Sequence, residues 1–134
     1  QVCLVWLALP IIIWVILLAT GRLPAQTLAR PILGNFFQNG FFEEFLFRGA
    51  LFTRLRCLVP IPWALMLQAL LFGLWHLQAN TESMSGNLVA GLALCLVSQT
   101  LSGIVFGYVF QRTQNLVAPS VAHVAMNVLG QTFG

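Results

Sequence analysis

Apolar residues fill this chain in five long runs, and polar residues mark where one run ends and the next begins. The first run, Val2 to Ala19, carries no charge over a length that spans a lipid hydrocarbon core. Pro10 at its middle predicts a kink. Thr20 to Pro31 reads as a connection, punctuated by Gly21, Arg22, Pro24 and Arg30. The second run goes from Ile32 to about Thr53 and closes on Arg54 and Arg56, cations suited to a helix C-terminus at a membrane interface. Pro60 and Pro62 predict a turn and a new helix start. The third run spans Pro62 to about Leu77, and Gln78 to Gly86 reads as a polar loop holding Glu82. The fourth run, about Asn87 to Phe110, is again uncharged. Its Gly91, Ser98, Ser102, Gly103 and Gly107 suit close helix packing in lipid, as do Gly34 and Gly40 in the second run. After a short polar turn from Gln111 to Asn115, the fifth run covers about Leu116 to Thr132, with Pro119 near its start. The predicted fold class is all-α, a polytopic transmembrane helical bundle. Residues 1–30 make a first transmembrane helix and its connecting loop, and residues 31–134 a core of four apolar helices.

Composition sharpens this picture. The chain has 134 residues, 59% hydrophobic and only 7% charged. A soluble domain carries about 25% charged residues, so this chain cannot clothe a water-facing surface and reads as an integral membrane protein. There is no Lys and no Asp; six Arg and three Glu give a formal charge of +3. The Arg residues are scattered, which argues against a nucleic-acid partner. Arg22 and Arg30 fall on one side of an alternating path, with Arg54, Arg56 and Arg112 on the other, and leave the orientation open. Cys3, Cys57 and Cys95 are odd in number, far apart and set in or beside apolar segments, so neither a disulfide framework nor a CxxC metal site follows. The chain starts with Gln inside an apolar run, without the basic segment of a signal peptide, and reads as part of a longer chain. The absence of Lys and Asp and the short loops suggest a prokaryotic plasma membrane.

The candidate chemistry lies where charge enters an apolar run. Glu43 and Glu44 are adjacent, and Arg48 follows four residues later among phenylalanines and leucines. Ionised groups at membrane depth are costly and face a bundle interior or a water-filled cavity. In an α-helix, Glu44 and Arg48 share a face, whereas Glu43 is turned about 100° away. Glu44–Arg48 then reads as a supporting pair, and Glu43 as a base for a water molecule. A purely structural ion network is the competing reading. His76 near the end of the third run and His123 inside the fifth are the only histidines, and Asn127 shares a helical face with His123. Each alone suits an interfacial or interhelical polar contact. Together, a carboxylate base, imidazoles and an amide match a hydrolytic site. Glu43, His76 and His123 are also the three ligands a zinc ion would take, each from a different helix. The metal-free reading is preferred and zinc is its alternative.

These residues resemble the CPBP family of intramembrane proteases, also called the ABI domain, which includes the type II CAAX prenyl endopeptidases. The family's EExxxR, FxxxH and HxxxN signatures stand here as Glu43-Glu44-xxx-Arg48, Phe72-xxx-His76 and His123-xxx-Asn127, in family order and in separate apolar runs. The resemblance covers roughly residues 31–134, which it makes the protease core, and the first run matches only by hydropathy. It implies Glu43 as catalytic base, Glu44 and Arg48 as its support, His76 as partner in activating the water, and His123 with Asn127 as the oxyanion-stabilising pair. It implies a lipidated protein or membrane peptide as substrate and membrane lipid as surroundings. Family members usually carry more helices than five, which places the missing ones upstream. Two other classes compete: a non-catalytic immunity or scaffold module with the same fold, and a small transporter. The transporter would need an inverted repeat or paired broken helices, and the sequence has neither.

Overall fold

In lipid, a backbone bonds its own polar groups most simply as helix, and helix is what this sequence forms. The computed structural model describes residues 12, 15–21, 34 and 36–133, with the side chains of 36–38 and 129–133 excepted. Among these residues every regular element is helical. Residues 15–19 of the first apolar run are helical. That turn ends as the Thr20 hydroxyl donates to the Ile16 carbonyl at 2.8 Å and Gly21 takes the left-handed φ of +67°. Apart from the helical Ile12, the rest of that run lies outside the described residues, together with Cys3, the Pro10 kink, Arg22, Pro24 and Arg30.

Helix α1 covers residues 36–55 and is not uniform. Wide π turns at Phe36–Phe41 and Phe45–Phe52 flank a single α turn, Phe42–Glu44, that carries both glutamates. Helix α2 is Ile61–Trp75, with Pro60 as its N-cap and a proline in the first turn, where the missing N–H costs nothing. Helix α3 is Leu77–Ser83, α4 is Leu88–Thr113 with a π turn at Cys95–Gln99, and α5 is Val117–Phe133. Asn87 caps α4 by accepting from the Ala90 N–H at 3.1 Å. Asn115 accepts from the Val117 N–H at 2.7 Å at the start of α5.

One expectation needs correction. The stretch Gln78–Gly86 is mostly helix α3 rather than loop. The Gln78 amide donates to the Glu82 carboxylate one turn on at 2.9 Å, and Asn80 turns inward, giving even this polar segment an inner and an outer face. The true turn falls at Met84–Gly86, where Ser85 and Gly86 take positive φ. The third run ends where expected: α2 stops at Trp75, and past His76 the chain bends by 47° into α3.

The chain forms two compact units, residues 1–45 with 109–134 and residues 46–108. In the first, α5 packs against the opening π turn of α1. In the second, α2 packs on the π turn of α4, and α3 on the first turns of α4. Glycines permit both contacts. A Cβ on Gly73 would meet the Thr100 hydroxyl and lie 2.8 Å from the Cys95 carbonyl. One on Gly91 would lie 2.8 Å from the Thr81 backbone. Gly103 and Gly107 also sit close to α2: a Cβ on the first would lie 3.0 Å from the Ala69 Cα, and one on the second 2.5 Å from Gln68 Nε2. Ser98, by contrast, is exposed, and Gly34 meets nothing within 4 Å among the described residues.

Threonines secure the wide turns. Thr53 donates its hydroxyl to the Arg48 carbonyl at 3.0 Å, and Thr100 to the Cys95 carbonyl at 2.9 Å, each five residues back. A Thr100→Val variant keeps the shape and loses the bond. It is expected to lower stability by about 1 kcal/mol, read by thermal unfolding in detergent.

The surface is inverted relative to a water-soluble protein. Val89, Val97 and Leu101 on α4 and Trp63 on α2 are exposed, while Glu44, Arg48 and Gln68 are fully buried. Leu88–Thr113 is long and apolar enough to cross a membrane, and the bent α2–α3 pair passes the same test taken as one span.

Candidate active site

Within the first unit, α1 and α5 bring together residues that lie about eighty positions apart in sequence. His123 is 3% exposed and stands between the two adjacent glutamates. Its Nδ1 lies 2.8 Å from Glu44 Oε1, and its Nε2 lies 3.7 Å from Glu43 Oε2. Glu44 is fully buried and Glu43 nearly so. An ionised carboxylate only accepts hydrogen bonds, so Nδ1–H donates to Glu44 and fixes the orientation of the ring. Nε2 then faces the second carboxylate at a distance too long for a direct hydrogen bond.

Both carboxylates address one imidazole. The α turn at Phe42–Glu44 keeps them about 100° apart, and the two edges of the ring span that angle. Beyond Phe45 the helix widens into the π turn that carries Arg48. Asn127 is half-buried, one turn of α5 beyond His123.

His76 and Arg48 belong to the second unit. His76 sits at the break between α2 and α3, with its Nδ1 2.8 Å from the Phe72 carbonyl. A carbonyl only accepts, so Nδ1 carries the proton and the neutral ring keeps its lone pair on Nε2. The Phe72 ring meets the imidazole edge-on at 4.8 Å. The phenylalanine of the FxxxH signature thus supports its histidine twice, through its carbonyl and its ring. Phe47 in turn packs edge-on against Phe72 and Trp75.

Arg48 is fully buried. One guanidinium nitrogen donates to the Gly103 carbonyl at 3.1 Å, and its Cζ lies 4.4 Å from the centre of the Phe72 ring and 5.4 Å from that of Phe106. Aromatic faces and a backbone acceptor are what a cation needs where water is excluded. Sequence reasoning passed over Gln68, which shares the Gly103 carbonyl with Arg48. A signal was present: Ala64, Gln68, Phe72 and His76 recur every four residues and form one face of α2, so Gln68 lies in line with the FxxxH pair.

Among the described residues, no three His, Cys, Asp or Glu side chains are grouped so as to hold a metal ion.

A profile of the family described as type II CAAX prenyl endopeptidase Rce1-like matches residues 6–129. The chain belongs to this family. The match includes all three signatures and extends into the first apolar run. No curated protein and no solved structure matches the chain. Membership in the Rce1-like family agrees with an inverted, apolar surface and makes this an integral membrane protein. The general activity that comes with the family is that of an intramembrane protease of the CAAX type.

Proposed function

We propose that the protein is an intramembrane endopeptidase in which Glu43 activates a water molecule to hydrolyse a peptide bond of a lipid-modified or membrane-inserted substrate. The observation that carries this reading is the buried imidazole of His123 set between Glu43 and Glu44. The helices form a polytopic bundle, with lipid as solvent and the carboxylates inside.

The chemistry follows from the donors and acceptors. Glu43 takes a proton from the water as the water oxygen attacks the scissile carbonyl carbon. The carbonyl electrons move onto oxygen. His123, held through Nδ1 by Glu44, donates from Nε2 in its protonated form to that oxyanion, and the Asn127 amide adds a second donor. Collapse of the intermediate breaks the C–N bond, and the departing amine takes the proton from Glu43. The products are a carboxylic acid and an amine. Glu44 is a positioning residue that stabilises the imidazolium, and the family signature gives Arg48 a supporting part beside it. For His76 the family resemblance suggests a share in activating the water, and the lone pair on Nε2 supports a chemical role.

The test uses full-length protein in lipid vesicles, a farnesylated CAAX peptide and the same peptide without the lipid, each with and without chelator. Mass spectrometry reads the products. The reading predicts cleavage that survives the chelator. Loss of cleavage on chelation would move the mechanism to zinc. Failure to cut either peptide would favour the non-catalytic module.

A further inference from the structure

In the second unit two side-chain donors share one carbonyl, an arrangement whose role deepens the proposed function and rests on it. Gln68 is fully buried at the centre of α2. Its Nε2 donates to the Gly103 carbonyl of α4 at 2.9 Å and to the Leu65 carbonyl of its own helix at 3.1 Å. The Gly103 carbonyl also takes the Arg48 guanidinium at 3.1 Å. Space for this junction is made by glycine twice over. A Cβ on Gly107 would lie 2.5 Å from Gln68 Nε2, and one on Gly103 would lie 3.0 Å from the Ala69 Cα. The position is costly in lipid, because Gln68 Oε1 is buried without a partner among the described residues. A leucine would fill the volume without that penalty. What the amide supplies, and leucine does not, is an N–H aimed at the oxygen that Arg48 uses.

We infer that Gln68 is a positioning residue: by pinning the Gly103 carbonyl it fixes the acceptor, and hence the location, of the Arg48 guanidinium, the supporting group of the glutamate signature. Phe72 lies in the same assembly, with its ring under the guanidinium and its carbonyl on His76, so the junction ties the arginine of the first signature to the phenylalanine of the second.

A three-member series at this position tests the inference. Gln68→His keeps an N–H donor at similar reach, Gln68→Leu removes it, and Gln68→Glu puts an acceptor there. Each variant is assayed for hydrolysis of the farnesylated CAAX peptide and for thermal unfolding, alongside Glu43→Gln. The expected order of kcat is His, then Leu, then Glu. Leu is expected to lie about tenfold below wild type and His within about threefold, with KM held within about twofold throughout. Unfolding temperatures are not expected to follow that order, since leucine removes a buried orphan oxygen. Equal kcat for Gln68→Leu and wild type overturns the inference. So does a fall in activity that tracks unfolding alone, or a Gln68→His variant no better than Gln68→Leu. If Gln68→Leu does not fold, the His and Glu variants still decide by their order. An active Glu43→Gln variant would instead remove the proposed function, a separate failure.

Discussion

A Glu43→Gln variant is expected to fold, to insert into membranes and to lose about 10³-fold in turnover. The amide matches the carboxylate in size and remains compatible with its nearly buried site. It also relieves the buried charge, so stability should hold or rise slightly. Under the proposed mechanism the variant loses its base, and positioned general bases contribute about 10²- to 10⁴-fold. Glu44→Gln should behave differently. The amide oxygen still accepts from His123 Nδ1–H, at 2.8 Å in the native arrangement, but it no longer stabilises the imidazolium. A smaller loss, about 10- to 100-fold, is expected. Steady-state kinetics on purified, folded variants separates the two glutamates. Equal losses would mean that the roles of base and support are wrongly divided.

The largest expected effect on stability lies away from the glutamates. Gly91→Val should lower stability by about 3 kcal/mol, seen as a large drop in unfolding temperature in detergent. A Cβ at Gly91 would lie 2.5 Å from the Thr81 hydroxyl and 2.8 Å from the Thr81 Cα and backbone nitrogen. Backbone atoms cannot swing aside as a flexible side chain does, so α3 would have to leave the first turns of α4. Activity should fall with it, because α3 begins directly after His76, and the Asn80 N–H bonds to the His76 carbonyl at 2.9 Å. A Gly91→Val protein with native unfolding behaviour would show that the α3–α4 contact does not secure this part of the fold.

The helical class and most helix ends were legible because they depend on local chemistry. Pro60, Asn87 and Asn115 each mark a start that the backbone needs in any context. The buried polar set was legible as well, since Glu43, Glu44, Arg48 and His123 interrupt apolar runs where only a partner offsets the cost. Partner choice was not legible. His123 meets Glu44 across 79 residues of chain, and helical spacing within α1 does not foretell which ring its carboxylates face. The wide turns were also hidden, because Thr53 and Thr100 look like ordinary helix residues until their hydroxyls are seen five residues back. Helix α3 was missed for a related reason. Its polar composition resembles a loop, and its inner face rests on contacts of Asn80 and Thr81 with α4.

The measurement that tests the central claim most directly is cleavage of the farnesylated CAAX peptide in ¹⁸O-labelled water, with chelator present, by wild type and by Glu43→Gln. The account predicts a wild-type product whose new carboxylate carries ¹⁸O, and none above background from the folded variant. Wild-type rates of labelled product from Glu43→Gln would contradict it, because the water would then be activated by something other than the carboxylate facing His123.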